Sequence, residues 1–377
     1  MSADFDSRES SAGPLGRIRG RFEGPNTLGN STPFWVAFAL AVVGLAAYPQ
    51  FVGLYSVLTS TKYFALAFLA LSLTLVWGYC GVLSFGQVAF FGIAAYAFGV
   101  IGVNFSSAGG ITAAVVGAVV AGTLFALVLG YFMFYGGVSD VYVTIITLVV
   151  ALVLNTFMAQ TAGSEWAVGE AQLGGFNGMP DVPDLVIGIG ETNVGLGDIV
   201  PLYYALLVSL VVTYLALRVL VNSRFGMTMV AVREDEQRTA TFGYDIAFVK
   251  LVAFTIGGAL AAVGGVFYAA WGNYVDPTVF GIQFAALPVV WASVGGRESL
   301  LGTVGATLVI ERMRTGLTEG VGPLGPEWAF VIIGGLLISI IVLLPSGVAP
   351  SLDRIGKRLL DRLGDRSSSR PTEEPVE

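Results

Sequence analysis

Long apolar runs, each about the length of a bilayer-spanning helix, are the feature that most constrains this chain. A helix needs roughly 20 apolar residues to cross about 30 Å of hydrocarbon. The runs lie at residues 34–58, 62–81, 84–104, 111–134, 141–160, 198–221, 247–271, 281–295, 300–316 and 327–345. The eighth and ninth are short, which is typical of half-helices or a re-entrant pair. We therefore predict an all-α fold, a polytopic transmembrane helix bundle of about ten spans, with eight or nine as alternatives.

The composition supports lipid as the solvent of this chain. Only 12% of the 377 residues are charged and 55% are hydrophobic, whereas about one quarter of a soluble domain is charged. So few charges leave too little polar surface to cover a water-soluble protein. No short apolar region with a small-residue cleavage site follows the polar start of the chain, so we expect no removable signal peptide.

Several kinds of chemistry are excluded by residue content. The chain has no histidine and a single cysteine, which excludes a disulfide framework, a Cys/His zinc site and a histidine-based catalytic triad. Carboxylate-only metal chemistry survives in principle, but the acidic residues do not cluster inside the apolar runs. We therefore expect no catalytic residue, no metal site and no cofactor on this chain. The sequence also has no G-x-x-x-x-G-K-[ST] phosphate loop, so any ATP and Mg²⁺ that drive it must bind a different polypeptide.

The distribution of basic residues predicts the orientation. Basic residues gather in the N-terminal tail, in loop 222–246 and in the C-terminal tail from Arg354 to Arg370, whereas loop 161–197 has five carboxylates and no Lys or Arg. We therefore place both termini and loop 222–246 in the cytoplasm and loop 161–197 outside. The number of spans between these segments agrees with each placement, but Lys62, Arg312 and Arg314 fit it poorly.

Three segments follow from this reading. We expect a polar cytoplasmic N-terminal tail (1–33), a transmembrane domain (34–350) and a cytoplasmic tail (351–377) that begins as a surface helix and is disordered at its end. Within the transmembrane domain, small residues recur at spacings of three and four, as at Gly257, Ala261, Gly264 and Gly265. Such spacings predict closely packed membrane helices.

Uncharged polar residues are the expected lining of a solute path. Ionisable residues are nearly absent from the apolar runs, and Asp140 and Glu311 are placed at span edges, which argues against ion coupling. In segment 78–92, glycines interrupt two apolar helices, and exposed backbone at membrane depth is tolerated only beside a cavity or other protein. The candidate path residues are Ser84, Gln87, Phe90, Phe91, Tyr142, Thr144, Thr147, Asn155 and Gln283. Bonding between helices, or a simple turn at 78–92, explains the same residues.

A charged segment in loop 222–246 is the candidate contact with a cytoplasmic partner. It reads as one short helix ended by Gly243, with Glu234 and Arg238 paired four residues apart and Val232, Ala240 and Phe242 open to a partner. A solvated connecting loop is the alternative. The candidate coupling residues are Arg233, Glu234, Asp235, Glu236, Arg238, Phe242 and Gly243. A second turn, Gly295-Gly296-Arg297, resembles a hinge, although Arg297 equally suits a positive-inside anchor.

Five stretches in order resemble the permeases of the branched-chain amino acid / urea–amide family of ABC importers, over about residues 62–350. They are GYCGVLSFGQVAFFGIAAYAFG, GVSDVYVTIITL, GGFNGMPD, REDEQRTATFGYDIAFVKLVAFTIGGALAAVGGVFYA and LLPSGV. The long N-terminal extension and the middle stretches resemble the larger, M-type permease. VWASVGGRESLLGTVGA and FGYD are similar to urea-type members, whereas Gln87 stands where the family commonly has His.

The resemblance implies a multi-pass permease of a prokaryotic plasma membrane, moving a small polar solute, urea or a short amide or a branched-chain amino acid, by alternating access. It further implies a second homologous permease, two ATPase subunits and an extracytoplasmic solute-binding protein. The alternative from another class is a stand-alone channel or ion-coupled carrier. A membrane enzyme is disfavoured, because the chain has neither histidine nor a buried carboxylate pair.

Overall fold

The computed structural model describes residues 22–189, 192–318, 328–344 and 347–351. Within them lie twelve α-helices: α1 (Thr32–Ala47), α2 (Leu54–Leu73), α3 (Gln87–Asn104), α4 (Ala108–Tyr135), α5 (Asp140–Ala159), α6 (Ile199–Asn222), α7 (Arg224–Glu234), α8 (Glu236–Thr241), α9 (Ile246–Gly272), α10 (Ile282–Gly295), α11 (Leu300–Thr318) and α12 (Trp328–Leu343). Two antiparallel hairpins join β1 (Ala167–Val168) to β2 (Ala171–Gln172) and β3 (Val186–Ile189) to β4 (Thr192–Gly195). The predicted tail residues 1–21 and 352–377, and residues 345–346 of LLPSGV, lie outside the described residues.

Seven helices of the described residues are long and apolar enough to cross a membrane. They are α1 with its 3₁₀ extension to Gln50, α2 with its π-helical end Thr74–Tyr79, α3, α4, α5, α6 and α9. Helix α10 is apolar but only 14 residues long, as the short eighth run predicted. The prediction of a polytopic helical membrane protein is confirmed, and the number of crossings stays a prediction.

The boundary predicted between the first two spans is wrong. Helix α1 ends at Ala47, a 3₁₀ turn covers Tyr48–Gln50, and α2 begins at Leu54, inside the predicted first span. The turn carries Pro49, and Gly53 caps α2 in an extended conformation. Proline and glycine both disfavour a helix interior, and these two end the helix where the surrounding hydrophobicity continues.

Helix α9 lies at the centre of the bundle and packs against α2, α3 and α4. Its glycines allow the close approach that the small-residue spacing predicted. A Cβ at Gly265 would lie 2.0 Å from the Phe91 carbonyl oxygen of α3, and one at Gly257 would lie 2.5 Å from the Val76 side chain. Since real contacts are longer, any side chain at Gly265 would force α9 away from α3, and one at Gly257 would displace the Val76 side chain.

The connections gather at two opposite ends of the bundle. We call one the charged end: it holds connections 80–86, 136–139, 223–245 and 296–299, joined by hydrogen bonds and ion pairs. We call the other the hairpin end: the long connection 160–198 carries both hairpins there and bonds to the start of α4 and the end of α9.

Residues 22–30 fold back onto the charged end of α6 around Arg218, whose side chain is buried. The Arg218 guanidinium donates hydrogen bonds to the carbonyl oxygens of Phe22, Leu28 and Gly29, at 2.9, 3.3 and 3.3 Å. Its carbon lies 5.0 Å from the ring centre of Phe34. Part of the predicted polar tail is therefore attached to the bundle.

Candidate functional site

The charged segment at the charged end forms two helices, so the prediction of one helix over 233–243 is wrong. Asp235 is extended, with φ −162° and ψ 100°, and separates α7 from α8. Its carboxylate accepts a hydrogen bond from the Arg238 amide at 2.9 Å, which makes Asp235 the N-cap of α8. Gly243 ends the segment at φ +87°, the left-handed conformation predicted for it.

The helix break changes the predicted ion pairing. Glu234 contacts Arg233 at 2.6 Å and Arg238 contacts Asp235 at 3.5 Å, so the predicted Glu234–Arg238 pair does not form. An i,i+4 pair requires one continuous helix, and Asp235 interrupts it. Glu234 and Arg238 therefore each pair with a residue close to them in the sequence instead of with each other.

Arg233 turns towards the bundle. Its guanidinium donates a hydrogen bond to the carbonyl oxygen of Gly78, at the end of α2, and lies 3.2 Å from the Glu298 carboxylate. The Tyr79 hydroxyl donates to the Glu298 carbonyl oxygen at 2.9 Å. Arg233 thus ties α7 to α2 and to the connection between α10 and α11.

Lys250 is a second junction at the charged end. Its ammonium group donates to Asp140 of α5 at 2.8 Å and to Glu236 of α8 at 2.6 Å, and its side chain is only 9% exposed. Two carboxylates around one cation join α8, α5 and α9. The sequence singled out Glu236 and placed Asp140 at a span edge, but it gave no signal that would bring Asp140, 110 residues away, to Lys250.

The outward face of the segment offers a surface for a partner. Phe242 is 77% exposed and the Arg238 side chain is 76% exposed, with Tyr244 beside them at 52%. Ala240 is exposed as expected, whereas Val232 is buried within the bundle and is not open to a partner. We call Arg238, Ala240, Phe242 and Tyr244 the α8 surface.

The predicted hinge reaches the same junctions. Helix α10 ends at Gly295, and Gly296 has φ +100°, a conformation that side chains rarely adopt. The carbonyl group of Arg297 packs directly on Gly78, while half of the Arg297 side chain is exposed. Gly295, Gly296 and Arg297 therefore connect α10 to α11 beside Arg233.

Four of the predicted path residues meet around connection 80–86. Ser84 and Gln87 are buried, and Gln87 accepts a hydrogen bond from Ser72 at 2.7 Å. Thr144 donates to the Leu83 carbonyl oxygen at 2.8 Å, and Thr147 accepts from the Phe85 amide at 3.2 Å. The Gln87 amide nitrogen has no hydrogen-bond partner in the described part of the chain.

The other predicted path residues are dispersed. Phe90 and Phe91 are fully buried among the aromatic rings of the core. Tyr142 and Gln283 lie on the exposed surface of the bundle, and Asn155 donates to the Pro277 carbonyl oxygen at 2.6 Å, at the hairpin end. The assignment of these residues to a path stays a prediction.

A separate charged group lies near the hairpin end. The Glu311 side chain, in the interior of α11, is 1% exposed, contacts Arg314 at 3.1 Å and lies beside the Trp291 indole. Lys62 of α2 lies near enough to Arg314 and Glu311 for the charge of each to act on its ammonium group. Helix α11 continues to Thr318, and the placement of Glu311 at a span edge stays a prediction.

No group of three or more His, Cys, Asp or Glu side chains suited to a metal ion occurs among the described residues.

Residues 53–341, most of the chain, match the family described as branched-chain amino acid transport system / permease component. The chain belongs to this family. Its membrane helices and this match identify it as a multi-pass membrane protein.

Curated relatives agree with the family. The chain is 26% identical over 189 residues to the probable branched-chain amino acid transport permease protein LivM of Methanocaldococcus jannaschii, covering 47% of this chain and 53% of that protein. It is 26% identical over 149 residues to the high-affinity LivM permease of Escherichia coli (40% of this chain, 34% of that protein). It is 27% identical over 153 residues to LivH of the same organism (38% and 48%). The matches thus span about half or less of these relatives, and no solved structure matches the chain.

Proposed function

We propose that this protein is the membrane-spanning permease subunit of an ATP-binding-cassette importer and moves a small polar solute inward by alternating access. The α8 surface carries the proposal, because it is exposed, Lys250 joins α8 to α5 and α9, and Arg233 joins the preceding helix α7 to α2. ATP and Mg²⁺ bind partner ATPases in this scheme, and the permease performs no covalent chemistry.

The two junctions give a mechanical route from the α8 surface into the bundle. A partner that moves α8 pulls Glu236, and through Lys250 it displaces the charged ends of α5 and α9. Motion of α7 pulls Arg233, and with it the end of α2 and the connection through Gly295, Gly296 and Arg297. A partner shifts such an equilibrium only by binding the two conformations with different affinity.

The charged end lies in the cytoplasm in this proposal, and the hairpin end faces a solute-binding protein outside the plasma membrane of a prokaryotic cell. Basic residues of loop 222–246 favour that orientation. The relatives LivM and LivH of Escherichia coli are both named as permeases of a high-affinity branched-chain amino acid transport system, which supports a second homologous permease as partner.

The solute is a branched-chain amino acid or urea or a short amide. The names of the relatives favour the amino acid, while the GGRESLLG stretch suits the urea-type members. Ser84, Gln87, Thr144 and Thr147 remain the strongest candidates for the path at the charged end, because they converge on one connection and the Gln87 amide nitrogen has no partner among the described residues.

The test changes only the outward face of α8. Phe242→Ala combined with Arg238→Glu removes an apolar anchor and reverses an exposed charge, without touching the Arg233 and Lys250 contacts. We expect ATPase subunits to co-purify poorly and ATP-dependent uptake to fall at least about tenfold, since interface anchors are worth about 1–4 kcal/mol. The exposed Arg224→Gln, at the start of α7, is the matched control. Full co-purification and uptake by the double variant would remove the proposal.

An ion-coupled carrier is the second candidate, and the buried Glu311 favours it. Buried ionisable groups of a membrane protein are costly and mark ion or proton pathways, and the Glu311 side chain is only 1% exposed. The purified chain alone in liposomes separates the candidates. Solute flux driven by an imposed ion gradient supports the carrier, whereas flux that requires the ATPase subunits supports the importer.

A further inference from the structure

A cavity of about 540 Å³ opens near the hairpin end, between α2, the end of α9 and α11. Its size is that of a site for a small molecule. Its walls combine aromatic rings, hydroxyl groups and two cations, contributed by Tyr55, Leu58, Thr59, Lys62, Tyr63, Trp271, Arg314, Thr315 and Thr318. None of the path residues selected from the sequence lines it.

Among the described residues, the charges in this cavity are unbalanced. Lys62 and Arg314 line it, and Glu311, buried behind them, is the carboxylate that acts on both. Lys62 also lies 5.3 Å above the centre of the Trp271 ring, which holds its ammonium group by a cation–π contact. In the part of the chain that the structure describes, two cations thus share one carboxylate, and the excess positive charge faces the cavity.

A structural role alone explains this arrangement poorly. Charges inside a membrane span are costly, and a purely structural network pairs each charge with an opposite one. Here one described carboxylate, Glu311, faces two cations. An incoming carboxylate would balance the charge and would add charge-assisted hydrogen bonds.

The surrounding groups indicate what else the ligand carries. The Tyr63 hydroxyl donates to Thr315 at 2.6 Å, so hydroxyl groups are already held in place on one wall. The Trp271 indole, fixed by its hydrogen bond to the Leu58 carbonyl oxygen at 2.7 Å, and Leu58 itself supply apolar surface. A small solute with a carboxylate at one end and an apolar side chain at the other matches this lining.

We propose that the hairpin-end cavity is an entry site that binds the carboxylate of an amino-acid solute on Lys62 and Arg314. The assignment rests on the proposed function as a permease and narrows its substrate class. A neutral solute such as urea has no group that balances the charge of this site. Anionic lipid headgroups share the chemistry of the ligand, so the experiment separates the two sources.

The experiment measures binding of radiolabelled L-leucine to the purified full-length chain in nanodiscs of phosphatidylcholine, with L-leucinol and urea as competitors. We expect unlabelled L-leucine to compete and L-leucinol, which lacks the carboxylate, and urea to fail. Lys62→Gln and Arg314→Gln each weaken leucine binding at least about tenfold, as the loss of a charge-assisted hydrogen bond predicts. Lys62→Arg keeps most of the affinity, and Arg224→Gln, a cation at the other end, keeps all of it.

Three outcomes overturn the proposal. They are no leucine binding, equal competition by L-leucinol, and a wild-type affinity for leucine in both Lys62→Gln and Arg314→Gln when these variants elute as folded protein. A fourth is binding of phosphatidylglycerol that both glutamine variants weaken and that L-leucine does not displace, which assigns the site to a lipid headgroup. Uptake by the assembled transporter separates a failure of the proposed site from a failure of the proposed function. ATP-dependent leucine uptake with an unchanged KM in both variants removes the site and leaves the proposed function standing, whereas absence of ATP-dependent uptake of any solute removes the function.

Discussion

The Arg233 guanidinium donates a hydrogen bond to the carbonyl oxygen of Gly78, and so joins the helix before α8 to the end of α2. The same glycine lies against the backbone of Arg297. Three segments that are distant in the sequence therefore meet at a residue with no side chain. This contact leaves no room for any larger residue.

Replacement of Gly78 by alanine tests that contact. A Cβ there would lie 1.7 Å from the Arg297 carbonyl oxygen, so connection 296–299 has to move away from α2. We expect a loss of about 1–3 kcal/mol in stability, as for overpacking, and a fall in uptake coupled to ATP hydrolysis. Thermal unfolding in detergent and uptake by the assembled transporter measure these effects. Gly305→Ala, in open space on α11, is the control that should change neither.

Lys250 provides a second prediction at the charged end. Lys250→Met removes the cation between Asp140 and Glu236, leaves two carboxylates facing each other, and should destabilise the fold by about 1.5–3 kcal/mol. Lys250→Arg retains the charge and should recover most of the stability. Adding Asp140→Asn and Glu236→Gln to Lys250→Met removes the repulsion, so this triple variant should unfold at a higher temperature than Lys250→Met. Equal unfolding temperatures for wild type and Lys250→Met would contradict the role of the junction.

Much of the helical architecture was predictable because it depends on local composition. Helices α3, α4, α5, α6 and α9 begin and end within a few residues of the predicted apolar runs. The first boundary failed because apolar residues continue through Pro49 and Gly53, and hydrophobicity alone does not register a turn. Proline and glycine favour turns, so Pro49 and Gly53 were a better guide to the helix boundary than hydrophobicity.

The contacts of the candidate site were less predictable than its position. Gly243 and the exposed Phe242 agree with the expectation from the sequence, since chain ends and charge patterns are local. The Asp235 break changed which charges pair, because a good N-cap residue competed with helix continuation. Lys250 contacts Asp140 only because α9 packs against its neighbours in the bundle. Lys62 likewise comes near Glu311 only because α2 packs against α11.

The single cysteine supports a prediction on reactivity. Cys80 is 1% exposed, and burial raises the pKa of its thiol to about 12. Only the thiolate attacks a maleimide or a disulfide reagent, so the group stays protonated and shielded at neutral pH. We expect negligible labelling of the folded wild-type chain at pH 7–8 and complete labelling after denaturation, measured by mass spectrometry. Rapid labelling of the native protein would show that connection 80–86 opens.

An unreactive Cys80 makes the wild-type chain a suitable background for an orientation test. Phe242→Cys lies on the α8 surface, and Phe176→Cys lies in the connection that carries the hairpins, at 77% and 76% exposure of the native side chains. With the charged end in the cytoplasm, a membrane-impermeant maleimide added to intact cells should label the cysteine at 176 and spare the one at 242. After permeabilisation both should react. The reverse pattern would invert the proposed topology.

Arg218 predicts how firmly residues 22–30 are held. The guanidinium donates to three backbone carbonyl oxygens of this segment and also bonds Tyr214 at 3.0 Å. Arg218→Ala leaves those acceptors without their donor, and hydrogen bonds to charged groups are worth about 1.5–3 kcal/mol. The segment should then detach, and chymotrypsin should cleave after Phe22 or Leu28 at least about tenfold faster than in the wild type. Arg218→Lys, with fewer donors and no planar fork, should be intermediate, while Arg224→Ala should be cleaved at the wild-type rate. Equal cleavage of Arg218→Ala and the wild type would mean that other contacts hold the segment to α6.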